Sequence, residues 1–237
     1  MTEESIVETG EFYMNKKELS ANRPIVSETN LYWLFWIFVL FSVMGFAFES
    51  FANLIEFGHF HNRQGLLYLP FSQIYGIGAI IIIITTRWIK NRSVLLLYIF
   101  CCLFGGFFEY IFSYIEEMWL HSATWNYSTM PFNIGGRTNL LFALAWGFVG
   151  VAIVKWLYPL SMRILSKLRG RKAIVVTWVV FIILSSDIIL SSAMVYRQYE
   201  RIQNIPPSNI VDEFLDKKFP ESVVKKTYPS LRFTVDR

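Results

Sequence analysis

Five apolar runs dominate this chain of 237 residues, at about 31–54, 66–88, 94–118, 140–158 and 173–196. Each approaches or exceeds the roughly 20 residues that a helix needs to cross the hydrocarbon core of a bilayer. That pattern excludes most soluble architectures, and in lipid the backbone must satisfy its own polar groups, which favours helices. Composition agrees, with 54% of residues hydrophobic and 17% charged, against about 25% charged in an ordinary soluble domain. The expected fold class is an all-α integral membrane protein with five transmembrane helices over 31–196. A polar N-terminal tail (1–30) and a polar C-terminal tail (197–237) flank it. About thirty polar residues precede the first apolar run, so no cleavable signal peptide is expected.

Two of the runs carry the same polar stripe. GFAFESFANLIE (Gly45 to Glu56) and GGFFEYIFSYIE (Gly105 to Glu116) align on their acids, matching Glu49 with Glu109 and Glu56 with Glu116. The glycine, the acid, a small polar residue (Asn53 or Ser113) and the second acid fall at i, i+4, i+8 and i+11, one face of a helix. A carboxylate within an apolar span is costly and marks a functional site by default. The echo predicts a duplicated two-helix hairpin, with the chemistry where the copies meet. Glu49 and Glu109 then either bind a cation or proton, act as acid and base, or serve as structural locks. Their charge is open, because burial raises a carboxyl's pKa and a nearby guanidinium lowers it.

The connections add further candidates and an orientation. EFGHFHNRQG follows the first run, with Asn62 and Arg63. LHSATWNYSTMPFNIGGRTN follows the third and mixes Trp125, Tyr127 and Phe132 with Asn126, Asn133 and Arg137. That second mixture suits a segment lying in the interface or dipping back into the protein. Arginine holds carboxylates and phosphates in a bidentate fork, so Arg63 and Arg137 either clamp an anionic substrate or lock their own hairpin's glutamate. Arg87, Lys90 and Arg92 lie in the second connection, and Arg163, Lys167, Arg169, Arg171 and Lys172 in the fourth. The positive-inside rule puts these connections and the N-terminus in the cytoplasm and the C-terminus outside. The two hairpins then run in the same direction, a parallel repeat.

Asp187 is the third acid inside a span, flanked by serines in SSDIILSS. It is a binding candidate or, through those serines, helix–helix glue. His59, His61 and His121 lack metal-ligand spacing, so no metal is expected. Cys101 and Cys102 are adjacent and give no disulfide framework. No phosphate-binding glycine loop or nucleophile elbow is present, so the chain is not expected to hydrolyse ATP. No cofactor or nucleic-acid partner is expected.

These residues resemble a known bacterial membrane family, the "Putative ABC-transporter type IV" or CmpB-like permease family. The resemblance spans about residues 35–165. It rests on Gly45 and Glu49, then Asn62, Arg63, Gly65, Pro70, Ile74, Tyr75, Gly76 and Gly78. It continues in Glu109, then Trp125, Tyr127, Ser128, Pro131, Phe132, Asn133, Gly136 and Arg137. Gln64 intervenes between Arg63 and Gly65, Leu69 stands in place of a glycine, and Asn126 in place of an aspartate. The resemblance implies a plasma-membrane permease that needs a separate ATPase subunit. The substrate- or ion-binding candidates are Glu49, Glu109, Arg63, Arg137, Asn62, Asn133, Trp125, Tyr127, Tyr75 and Asp187. Two alternatives stay open: an enzyme on a lipid-linked or envelope substrate, and an accessory or scaffold subunit.

Overall fold

The computed structural model describes residues 30–58 and 64–234. The predicted tail over 1–29 and the candidates His59, His61, Asn62 and Arg63 lie outside them. Among the described residues, four helices are long and apolar enough to cross a membrane. Helix α1 (Leu31–Phe57) starts at Asn30, whose side chain accepts from the Tyr32 amide, and stops at Gly58 in the left-handed conformation. Helix α3 (Val94–Leu120) is capped by Ser93 and ends at His121, also left-handed. Helix α4 (Leu140–Ala152) begins at Asn139, which accepts from the Phe142 amide. Its continuation loosens into a π-helical turn, Ile153–Leu157, before helix α5 (Tyr158–Leu165). Pro159 stands just past that turn; its ring cannot tolerate the α-helical carbonyl four residues back and it donates no hydrogen bond. Helix α6 (Gly170–Ile202) is the longest.

The second predicted span departs from this pattern. Helix α2 covers only Gln73–Thr86, 14 residues, or about 21 Å. The chain from Gly65 to Ser72 is not helical, although Leu66, Leu67 and Phe71 within it are buried. Non-helical backbone at this depth must find partners among side chains. Ser191 Oγ accepts from the Leu67 amide, and the Asp187 carboxylate from those of Tyr68 and Leu69. The Ser72 amide donates to the Ser42 carbonyl, and Gln73 Nε2 to that of Gly65. Pro70 stops the helix from starting earlier, because the residue before a proline is held out of the helical region.

Helices α1 and α2 pair, as do α3 and α4, each pair through a glycine on either side. A methyl on Gly45 would overlap the Tyr75 ring, and one on Gly105 would overlap Trp146. In return Gly76 sits against Phe38 and Ser42, and Gly147 against Tyr98 and Cys102. Helix α2 also touches α3 and the π-helical turn, so the pairs share one core around Ile37, Phe41, Ala79, Ile82, Cys101, Trp146 and Val154.

The C-terminal region is folded rather than a tail. Past Ile202, Pro206 and Pro207 end the helical path as expected. Two short helices follow, α7 (Ile210–Lys218) and α8 (Glu221–Thr227). Strand β4 (Arg232–Phe233) then pairs antiparallel with β1 (Ser122–Ala123). Leu215, Phe219 and Val224 of this cap pack on Met194 and on Leu67. Arg197 holds it with a bidentate pair to Asp216, at 3.0 and 2.9 Å, and Glu200 of its own helix accepts a further bond from the same guanidinium.

Candidate functional site between the hairpins

The connection from α3 to α4 folds back onto α3. Strands β2 (Asn133–Ile134) and β3 (Thr138–Asn139) form a small hairpin whose turn uses Gly135 and Gly136 at φ +59° and +70°, backbone that glycine adopts without strain. Asn133 builds this turn: its amide donates to the Met130 carbonyl at 2.7 Å and its oxygen accepts from the Gly136 amide at 3.0 Å. Asn126 Oδ1 accepts from the Ser128 amide at 2.8 Å, an Asx turn that an aspartate makes equally well. The change from aspartate is therefore conservative at this position.

The fold-back brings two hydroxyls to Glu109. Tyr127 Oη donates to Oε1 at 3.0 Å and Thr138 Oγ1 to Oε2 at 2.8 Å. Glu109 is 4% exposed, and its hydrogen bonds from side chains, among the described residues, come from these hydroxyls alone. Glu49, half-buried, accepts from Tyr75 Oη at 3.3 Å. Burial pushes the Tyr127 phenol well above its ordinary pKa, with the charges of Glu109, Tyr75 and Glu49 adding to the effect. Tyr127 thus stays a hydrogen-bond donor and lies within electrostatic reach of both acids. Aromatic rings wall the site: Trp146 lies 6.0 Å from Tyr75 and 6.1 Å from Phe108, and Phe142 stacks on Tyr127 at 4.6 Å.

Other sequence candidates separate from this pair. Arg137 does not lock Glu109. It pairs with Glu117, two turns further along α3, and lies over the Tyr110 and Tyr114 rings. Its Nη1 reaches Ser113, one turn past Glu109, at 3.3 and 3.4 Å, while the loop's hydroxyls occupy the Glu109 oxygens. Trp125 anchors the loop by donating to the Arg137 carbonyl at 2.8 Å and stacking on Phe112. Asp187 sits apart from the acid pair: it accepts from the Tyr68 and Leu69 amides and from Ser191 Oγ, tying α6 to the connection between α1 and α2. Thr138 and Asn139 were not singled out by the sequence pattern. Asn139 carries the ordinary signal of a helix cap before an apolar run. Thr138 carries none, because its role depends on how the loop folds back.

The fold and this buried polar cluster define a multi-pass helical membrane protein. The family described as "Putative ABC-transporter type IV" matches residues 36–192. The chain belongs to that family, and the match runs well into α6, beyond the residues that carry the resemblance in sequence. No curated protein matches the chain, and no solved structure does.

Proposed function

We propose that this chain is the membrane-spanning permease part of a bacterial transporter, with its solute or ion site between two duplicated hairpins. The observation that supports it is Glu109, a buried carboxyl inside a span that is met by hydroxyls and not by a cation among the described residues. A carboxyl so costly to hold in lipid marks a functional site by default. The matched contacts Gly45–Tyr75 and Gly105–Trp146 support the duplication. The site comprises Glu49 with Tyr75 and Glu109 with Tyr127 and Thr138, while Arg63 is a proposed neighbour. Charge bias places the basic connections and the N-terminus in the cytoplasm and the cap outside the plasma membrane. A separate ATPase subunit supplies energy.

The test is flux of a solute panel into and out of cells carrying wild type or Glu109→Gln at equal membrane level. Loss of flux in a normally folded variant is the expected result, and unchanged flux removes Glu109 from the site. A second reading has its own observation: both Glu109 oxygens hold the loop 121–139, as a structural lock in a scaffold subunit would. Under that reading Glu109→Gln lowers thermal stability and membrane level before any transport is affected.

A further inference from the structure

The end of the bundle opposite the cap carries an unusual charge distribution. Residues 87–93 hold Arg87, Lys90 and Arg92, residues 155–172 hold six more cations, and neither segment contains a single Asp or Glu. One hydrogen bond joins these segments directly, and a second holds 163–172 at the start of α1. Lys155 Nζ, on the π-helical turn, donates to the Lys90 carbonyl at 2.6 Å, and Tyr32 Oη donates to that of Leu168 at 3.0 Å. The ion pairs among the described residues involve Arg137, Arg197, Arg201 and Lys225, all elsewhere. Arg87, Arg92 and the five cations of 163–172 therefore have no carboxylate opposite them among those residues.

The apolar surroundings narrow the choice of partner. Trp88 and Trp156 are 77% and 65% exposed, beside these cations, and Arg87 lies over the Trp88 ring at 5.5 Å. Leu160 and Ile164 of α5 are also exposed, interleaved with Arg163. Exposed tryptophan at the level of a cation cluster is the arrangement of a bilayer interface, where rings meet acyl chains and cations meet phosphate.

We propose that this face is an anionic-phospholipid binding surface, with Lys155, Arg169, Arg171 and Lys172 holding lipid phosphate and Trp88 and Trp156 lying against the adjoining chains. Near a membrane surface each cation contributes about a fivefold gain in anionic-lipid affinity, and the gain weakens with salt. The inference is independent of the permease reading.

The experiment uses the full chain in nanodiscs of phosphatidylcholine with increasing phosphatidylglycerol, and reads retained lipid by native mass spectrometry after extraction. Phosphatidylglycerol should be retained over phosphatidylcholine by tenfold or more. Arg169→Gln with Arg171→Gln should cut that preference by about an order of magnitude or more. Arg87→Gln with Arg92→Gln is an independent second probe of the same face, and Lys217→Gln with Lys218→Gln, in the cap, should leave retention unchanged. Equal retention of both lipids, or a preference untouched by both basic-face pairs, overturns the proposal. Full displacement of phosphatidylglycerol by inorganic phosphate at equal concentration also overturns it, by assigning the face to a soluble phosphate-bearing ligand. A variant pair that no longer elutes as wild type in phosphatidylcholine is replaced by the other pair, so folding does not decide the outcome.

Discussion

The α1–α2 and α3–α4 hairpins share an acid at the same step and a glycine one turn before it, yet their loops are held from opposite sources. The α3–α4 loop is pinned by the hairpin's own acid, Glu109, through Tyr127 and Thr138. The α1–α2 connection is pinned from outside, by Asp187 and Ser191 of α6. From Trp125 to Asn139 one loop therefore folds within its hairpin, while the Leu67, Tyr68 and Leu69 amides of the other are met by a distant helix. The difference also shortens α2, since residues 65–72 are not helical. A stripe of like residues does not guarantee a like role: Glu109 serves its loop, and the first hairpin borrowed an acid elsewhere.

The largest expected effect falls on the borrowed acid. Asp187→Ala leaves the Tyr68 and Leu69 amides without an acceptor, at about 1–3 kcal/mol each. Thermal unfolding in detergent should show a loss of about 3 kcal/mol or more, with Asp187→Asn recovering roughly half. A loss below that of Glu109→Gln would break the comparison. Next come the glycine contacts. Gly105→Leu drives a side chain into Trp146, which is 7% exposed, and overpacking of this kind costs about 1–3 kcal/mol. Gly45→Leu meets Tyr75 at its Cβ and Cγ, the base of the ring that rotation does not clear, so its cost should be at least as large in the same unfolding measurement.

Glu109→Gln should cost about 1 kcal/mol, the usual scale of a polar contact between membrane helices. Both hydroxyls can reverse donor and acceptor roles toward an amide. A much larger loss would favour the structural lock over the transport site. The smallest effect is a pH dependence of the cap. Hydrogen bonding from Arg197 holds Asp216 below its ordinary value of 3.8. Its stabilisation is present above that value and is lost as pH falls through the lowered one. Hydrogen-exchange protection at Leu67 to Leu69, relative to the unstructured rate at the same pH, should therefore fall below about pH 4, while that of Thr138, outside the cap's apolar contacts, should show little change. Equal loss of protection at both would mean that acid loosens the whole bundle.

Much of the fold was legible in residue order. The apolar runs located α1, α3, α4 and α6, and the mixed aromatic loop announced its fold-back. Gly45 and Gly105 lie on the acid-bearing face by their spacing, and they receive Tyr75 and Trp146. The run 66–88 misled, because hydrophobicity reports burial and not backbone conformation: Leu66, Leu67 and Phe71 are buried without being helical. The C-terminal cap was missed for the converse reason. Its polar surface hides a few apolar residues, among them Leu215, Phe219 and Val224, that fold only against α6 and Leu67.

By itself the sequence determined that this is a membrane protein, where most of its helices lie, and which acids sit inside them. Those properties follow from local hydropathy and helical period, which neighbours along the chain decide. Tertiary structure alone decided what each polar group does: Glu109 meets Tyr127 and Thr138, Arg137 turns to Glu117, and Asp187 caps backbone more than a hundred residues away. A carboxylate's role is fixed by the donors that reach it through space, and distance along the chain carries no information about them.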